Sequence, residues 1–244
     1  MQFSLILANT ARSQAYIQTL ISQDIIPKEV FILNDKNKKK LGKITKKYIN
    51  SNINNNIYSF QLATLNINED LVRSLSKLDI PYTIINSPDI NSEELYEVLL
   101  KSDTKLCIVS VYAGQILKSK ILGLKKSFMH VHSGKLPEYR GSTTLYYSLL
   151  EENKVAASAI MINEGIDTGD IVYFKEFDFN FDPELIDLIF DPLLRAVVLI
   201  DAIKLLSSKN KKPIVQEGID GEDYYIIHPL LKHLAILKEK NKCM

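Results

Sequence analysis

The sequence predicts an α/β protein with an open, mostly parallel sheet and helices on both faces. Three observations predict this fold class. Apolar runs of strand length alternate with amphipathic segments, the first two runs are one crossover length apart, and the run "KLCIVSVYAG" is apolar almost throughout. The length of 244 residues predicts one principal domain, residues 1–206, with a C-terminal extension, residues 207–244, that packs on it.

The first elements form a β-α-β unit. "FSLILA" is a compact apolar strand, and Asn9 or Thr10 is a candidate N-cap for a helix over "ARSQAYIQTLISQ". "EVFILND" is the second predicted strand. The stretch that follows, "NDKNKKKLGKITKKYINSNINNN", is basic and then rich in Asn, with little hydrophobic periodicity, so we expect a solvated and partly mobile excursion.

The alternation then resumes. Helices are predicted over "EDLVRSLSKL", "SEELYEVLLKS" and "STTLYYSLLEEN", and strands over "PYTIINS", "KLCIVSVYAG", "SFMHVHSG", "AASAIMINE" and "IVYFKEFDF". In the apolar region 185–206, Asp191 is predicted to cap a second helix that has Pro192 at its first position. In the extension, Tyr224, Tyr225 and His228 are interpreted as parts of an edge strand and a helix that cover the sheet, with a base-stacking or pocket-lining role as the alternative.

Composition excludes several classes of protein. The 30 Lys and Arg residues nearly balance the 29 Asp and Glu residues, so we expect no nucleic-acid partner and no membrane surface. The charges within 185–206 argue against a membrane span, since each costs roughly 2.5 to 3.5 kcal/mol at the bilayer centre. The two cysteines do not resemble a disulfide framework, and the chain is predicted to be cytoplasmic.

Two of the four histidines stand one residue apart, in "HVH". Residues i and i+2 of a strand face the same way, so His130 and His132 can present two imidazoles to one pocket. In open α/β sheets, ligands bind beyond the carboxyl ends of the strands, which is where this stretch falls. A catalytic imidazole needs a partner that holds its tautomer, and Asp167 in the loop "NEGIDTGDI" is the candidate, with Gly169 allowing a tight turn.

The stretch "HVHSGKLPEYRG" and the later "INEGIDTGDIV" resemble the formyltransferase family, which has the motif Asn-x-His-x-Ser-x-Leu-Pro-x-Tyr-Arg-Gly and then Asp-x-Gly-x-Ile. The two motifs are 35 residues apart here, counted from His132 to Asp167 (167 − 132). "YAGQIL" is similar to a third segment of the family. The matching positions of the two motifs are His132, Leu136, Pro137, Tyr139, Arg140, Gly141, Asp167, Gly169 and Ile171.

The resemblance implies a Rossmann-like formyltransferase fold and transfer of a formyl group from N10-formyltetrahydrofolate to an amine. His132 would accept the amine proton or stabilise the tetrahedral intermediate, and Asp167 would hold it. The folate would lie against Gly114, Gln115, Ile116 and Leu117 and against Gly165 and Ile166. The acceptor side would consist of Tyr139, Arg140, Gly141, Ser142 and Thr143, where Arg140 offers a bidentate fork to an anionic group.

The sequence departs from the family motif at two positions. His130 stands where the family has Asn, and Gly134 where it has Ser. The family Asn donates a hydrogen bond to the developing oxyanion, and one such donor contributes about 2.7 to 4 kcal/mol to the transition state. An imidazole N–H can donate the same bond, so formyl transfer can survive the change, which also leaves open a changed carbon unit or a different donor. His130, His132 and Asp167 are the predicted catalytic residues.

Two alternatives stay open. His130 and His132 with a distant carboxylate are compatible with a zinc or iron site, although that leaves the Leu-Pro-x-Tyr-Arg-Gly match unexplained. The change at His130 is also compatible with a catalytically inactive module that binds folate or nucleotide. For the transferase, we expect no metal, a small amine acceptor, namely an amino-sugar nucleotide, and a homodimer as a possible assembly.

Overall fold

The computed structural model describes residues 1–35, 57–208, 213–216 and 221–242. Most of the basic, Asn-rich stretch lies outside the described residues. The strands are β1 (Phe3–Ala8), β2 (Glu29–Leu33), β3 (Ile57–Phe60), β4 (Ala63–Asn66), β5 (Tyr82–Ile85), β6 (Leu106–Ser110), β7 (Ser127–His132), β8 (Tyr139–Gly141), β9 (Lys154–Met161), β10 (Ile171–Asp178) and β11 (Glu222–Tyr224). The helices are α1 (Ala11–Ser22), α2 (Leu71–Ser76), α3 (Glu93–Lys101), α4 (Ser119–Leu122), α5 (Thr144–Glu151), α6 (Asp191–Ser207) and α7 (Pro229–Lys242).

Seven strands form the central sheet in the order β10-β9-β7-β6-β1-β2-β5. The five strands from β7 to β5 are parallel, and β9 is antiparallel to both β7 and β10. Side chains alternate along β1 between two core clusters. Leu5 and Leu7 face a cluster built with α1 and α6, whereas Ile6 and Ala8 face a cluster built with α3 and α4. The predicted α/β sheet with helices on both faces is confirmed.

The helix signals before α1 and α6 had different outcomes. Thr10 is the N-cap of α1, and its hydroxyl accepts a hydrogen bond from the Ser13 backbone N–H at 3.2 Å, as predicted. The prediction that Asp191 caps a new helix is wrong. Asp191 has helical dihedral angles and donates its backbone N–H to Ile186, so a π-type turn over Ile186–Phe190 continues directly into α6. Pro192 is tolerated because it lies in the first turn of α6.

Two small sheets were not predicted. β3 and β4 form an antiparallel hairpin, which contributes Ala63 and Leu65 to the core on the α1 side. β11 pairs in parallel with β8, and α7 packs against α5. The extension thus contains the predicted strand and helix, but its strand pairs with the Tyr-Arg-Gly segment rather than with the central sheet. Within the described ranges, no helix is both long and apolar enough to cross a membrane.

Candidate active site

The His130 imidazole lies where β6 and β7 run side by side, with Val109 opposite His130 in the register. Its Nδ1 is 3.1 Å from the Val109 carbonyl oxygen. A carbonyl only accepts hydrogen bonds, so Nδ1 carries the hydrogen and donates it. The neutral ring therefore has its lone pair on Nε2, which has no hydrogen-bond partner among the described residues.

The His130 ring is neutral at ordinary pH. Burial, followed by the positive charges of Arg12 and Arg195, lowers its pKa to about 3. In this tautomer the only hydrogen of the ring is held by the Val109 carbonyl, so none is left for an oxyanion. Its Nε2 is a hydrogen-bond acceptor instead.

His132 and Asp167 form the predicted pair. His132 Nδ1 is 3.2 Å from Asp167 Oδ2, and the histidine side chain is 5% exposed. Asp167 Oδ2 also accepts a hydrogen bond from the Gly141 backbone N–H at 3.0 Å. The structure therefore joins three positions from two motifs that are separated in the sequence.

The second nitrogen of His132 is also engaged. Nε2 is 2.7 Å from the carbonyl oxygen of Tyr139, and the Thr144 hydroxyl is 3.3 Å away. Since Nδ1 and Nε2 both face oxygen acceptors, a neutral ring can donate a hydrogen bond to only one of them. Burial lowers the pKa of His132, against the opposing effect of the Asp167 carboxylate. With both nitrogens facing oxygen atoms of the protein, His132 is not placed in this arrangement to accept a proton from a substrate, and its other expected role, stabilising the tetrahedral intermediate, stays a prediction.

Asp167 reaches His132 through a loop that doubles back. Because β9 is antiparallel to β7, the loop 162–170 begins beside the amino end of β7, where the Ile162 N–H donates to the Phe128 carbonyl at 2.7 Å. Asp167 has a φ of 53°, a left-handed conformation that non-glycine residues rarely adopt. The Gln216 amide donates to the carbonyls of Asp167 and Gly169 at 3.2 and 2.5 Å and stabilises this bend.

The crowding around Gly134 explains why the Ser of the family motif is absent at this position. A Cβ atom at this position would lie 2.7 Å from His132 Nε2, 2.8 Å from the Tyr139 carbonyl oxygen and 3.0 Å from the Thr144 hydroxyl. The hydrogen bond between the Tyr139 carbonyl and His132 therefore occupies the space that a side chain would need.

We expect Gly134→Ser to reduce the free energy of unfolding by about 1–3 kcal/mol, because overpacking forces these neighbours apart. Urea denaturation measures the change. Gly134→Ala is the control, since its Cβ alone makes the same contacts and should cost a similar amount. A Gly134→Ala variant as stable as the wild type would contradict the steric explanation.

The predicted acceptor residues contact the C-terminal extension, and their role in binding the acceptor stays a prediction. The Tyr139 ring is buried and stacks on Tyr224 with ring centroids 5.2 Å apart. Its hydroxyl lies 2.9 and 3.0 Å from the carboxylates of Glu151 and Glu152 and can donate its hydrogen to either. The Ser142 N–H donates to Tyr224, and the Thr143 hydroxyl accepts from the Ile227 N–H. Arg140 is half-buried in β8, and Gly141 has a φ of 98° with its α-carbon facing the Tyr224 carbonyl.

The two loops predicted to bind folate differ in how far their side chains are exposed to solvent. In the first loop Gly114 has open space around it and Ile116 is 50% exposed, but Leu117 is buried and the Gln115 side chain is bonded to the backbone of Pro88 and Ile90. In the second loop Gly165 is exposed and Ile166 is 55% exposed. No hydrogen bond links the two loops within the described part of the chain.

Sequence inspection missed a group of charged residues beside the histidines. Arg195 donates to the Asp191 carboxylate at 2.9 Å and to the Val131 carbonyl at 3.0 Å. Arg12 reaches the end of β6, where it donates to the Ser110 hydroxyl and the Val111 carbonyl. The only signal for Arg12 in the sequence is its place directly after the first strand.

The depressed pKa of His130 predicts how stability depends on pH. Below about pH 6.5 the unfolded chain binds a proton at His130 that the folded chain excludes, so folding loses about 1.4 kcal/mol per pH unit until the folded pKa is reached. His130→Asn removes this group. Urea denaturation between pH 7 and about pH 5 should show the wild type losing stability relative to the variant as pH falls. A difference that does not change with pH would contradict the buried, neutral imidazole.

The metal-site alternative finds no support in the geometry. Among the described residues, no three His, Cys, Asp or Glu side chains converge on a point where they could hold an ion. His130 Nδ1 and His132 Nδ1 face Val109 and Asp167, respectively.

The fold is that of the formyltransferases. An N-formyltransferase from Helicobacter canadensis, solved with folinic acid and dTDP-3-aminofucose, superimposes with a TM-score of 0.60 at 16% identity, covering 99% of this chain and 82% of that one. A sugar N-formyltransferase from Shewanella sp. gives a TM-score of 0.56 at 17% identity, covering 98% of this chain and 87% of the other.

Sequence similarity points the same way, although no family model matches. The methionyl-tRNA formyltransferase of a Nitratiruptor species is 33% identical over 145 residues, which is 59% of this chain and 46% of the relative. That of Clostridium botulinum is 30% identical over 179 residues, 65% of this chain and 56% of the relative. The chain spans about half the length of these curated relatives. The chain is thus similar in sequence to methionyl-tRNA formyltransferases over about half of their length and shares the fold of the N-formyltransferases.

Proposed function

We propose that the chain transfers a formyl group from a formylated tetrahydrofolate to the amine of a small substrate. The observation that carries this proposal is the neutral His130 imidazole with a free Nε2, next to the buried pair of His132 and Asp167. Such a base is what amine attack requires, because the amine must lose a proton once its nitrogen has bonded to carbon.

His130 is the proposed catalytic base. The amine nitrogen forms a bond to the formyl carbon, the bond from that carbon to the folate nitrogen breaks, and the proton leaves the amine for Nε2 of His130. From there it passes to the departing nitrogen. Nδ1 of His130 keeps its hydrogen bond to the Val109 carbonyl throughout, so the ring stays in one orientation.

Asp167 and His132 are the proposed positioning pair. The negative charge of Asp167 raises the pKa of His130, against the larger effects of burial and of the two arginines. Asp167 thereby favours the protonated state that His130 must reach during transfer. His132 holds the carboxylate at 3.2 Å, and the same carboxylate binds the Gly141 N–H, so the pair also orients the Tyr-Arg-Gly segment.

The folate is proposed to bind the exposed parts of the two predicted loops. Ile116 and Ile166 present apolar surface to which a flat ring can bind, and Gly114 leaves open space beside it. We propose these residues and the exposed Gly165 as its contacts. Gln115 and Leu117 support the first loop from within, because one is bonded to the neighbouring segment and the other is buried.

We propose an amino-sugar nucleotide as the acceptor. The Helicobacter canadensis enzyme of the same fold was solved with a dTDP-linked amino sugar, and its chain is covered to 82% by this one. The near-neutral charge of the chain favours a small acceptor over a nucleic acid.

The test is a transfer assay. The protein is incubated with N10-formyltetrahydrofolate and a panel of amino-sugar nucleotides, and products are scored by mass for the gain of one formyl group. We expect gain on at least one acceptor. Folate binding without any formylated product would instead favour the inactive binding module.

A further inference from the structure

Arg12 occupies an unusual position at the crevice beside His130. It lies in the first turn of α1, and its half-buried guanidinium crosses to the carboxyl end of β6. There Nε donates to the Ser110 hydroxyl at 3.0 Å, and Nη2 donates to the Val111 carbonyl. The neighbouring carbonyl on the same strand end, that of Val109, holds His130.

The guanidinium of Arg12 has no carboxylate partner. Within the described ranges, no Asp or Glu lies at ion-pair distance from it, and Asp191 is already paired with Arg195 at 2.9 Å. Its two partners are a neutral hydroxyl and a neutral carbonyl. A guanidinium has five N–H donors, so about three of them have no acceptor among the described residues.

Holding this charge in place is energetically unfavourable. Burial, and then the positive charge of Arg195, lowers the pKa of Arg12 to about 10. A partly desolvated charge without a counterion is less favourable than a paired one, and a charged ligand that supplies the counterion forms charge-assisted hydrogen bonds with it. The surroundings of Arg12 are therefore suited to an anion that arrives with the substrate.

We propose that Arg12 binds a negatively charged oxygen of the substrate next to His130. The chemical class is a phosphate or carboxylate group, or the carbonyl oxygen that gains negative charge when the amine attacks. Binding of the reacting carbonyl oxygen rests on the proposed function, whereas binding of a phosphate or carboxylate group does not. If Arg12 binds the reacting carbonyl oxygen, it supplies the hydrogen-bond donor that Asn provides in the family motif. His130 does not supply this donor, because its hydrogen is bonded to the Val109 carbonyl.

Calorimetric titration with inorganic phosphate and with formate, at ionic strength held constant with sodium chloride, tests the anion site. We expect wild type to bind at least one of them, Arg12→Gln to bind about tenfold to a hundredfold more weakly, and Arg12→Lys to fall between. Arg73→Gln, which removes an exposed arginine on α2, should bind like wild type. Thermal unfolding verifies that each variant is folded. If Arg12→Gln does not fold, the binding measured for Arg12→Lys decides the test. No binding by wild type, or unchanged binding in the folded Arg12 variants, overturns the proposal.

Steady-state kinetics of the same variants show whether the oxygen bound by Arg12 belongs to a permanent anionic group of the acceptor or to the reacting carbonyl. A raised acceptor KM with little change in kcat assigns the oxygen to a permanent anionic group of the acceptor. A kcat reduced about a hundredfold with little change in KM assigns it to the reacting carbonyl. Unchanged kcat and KM in Arg12→Gln would overturn Arg12 as a substrate ligand. If wild type transfers no formyl group, the proposed function fails, and the calorimetry still decides the anion site.

Discussion

Formyl transfer is expected to fall about 10²- to 10⁴-fold in kcat when His130 is replaced by Ala, because the amine then loses the proton acceptor that we propose for it. His130→Asn should be as slow, even though it restores the residue found in the family motif. An Asn amide donates hydrogen bonds well but is not a base. Steady-state kinetics with the acceptor identified in the transfer assay measures both variants.

His130→Asn separates the two possible roles of this position. If His130 acts as an oxyanion donor, the Asn variant should keep most of the activity while the Ala variant loses it, and the base assignment would be wrong. The matched control is His233→Asn, which removes an exposed histidine of α7. It should leave kcat and KM unchanged.

The second large effect is expected for Asp167→Asn, which we predict to lower kcat about 10²- to 10³-fold, a loss similar to that of a transition-state stabilising group. The amide oxygen can still accept the hydrogen bond from the Gly141 N–H, so the loop should keep its place. The negative charge is lost, however, and with it the interaction that favours protonated His130.

A pH profile distinguishes this electrostatic role from a structural one. Removing the carboxylate should shift the ionisation of the essential base in kcat/KM to lower pH, because Asp167 raises the pKa of His130. Asp170→Asn, an exposed change in the same loop, is the control and should leave the profile unaltered. A reduced kcat with an unshifted profile would show that Asp167 only shapes the loop.

The local pattern of apolar residues was sufficient to predict most elements of the fold. The apolar runs of β1, β2, β6 and β7 and the periodic segments between them were assigned correctly, because strands and helices bury side chains with different spacing. The hairpin of β3 and β4 was missed, and Asp191 was taken for a cap. Both depend on contacts made by the rest of the chain, namely the core on the α1 side and the preceding turn that continues into α6.

The candidate site, like the fold, was predicted only in part from the sequence. Motif spacing alone led to His132 and Asp167, and the structure joins them at 3.2 Å. The roles of the histidines did not follow from spacing. They depend on where each imidazole nitrogen finds a partner, and these partners are the carbonyls of Val109 and Tyr139, which belong to other strands.

The amino-acid sequence therefore accounts for the α/β fold, the order of most of its elements and the motif residues that meet at the crevice, because these follow from periodicity and from short motifs. Tertiary packing alone sets the tautomer of His130, engages both nitrogens of His132 and leaves Arg12 without a carboxylate among the described residues. The physical reason is that hydrogen bonds and charges act between neighbours in space, and backbone carbonyls carry no signature in a sequence.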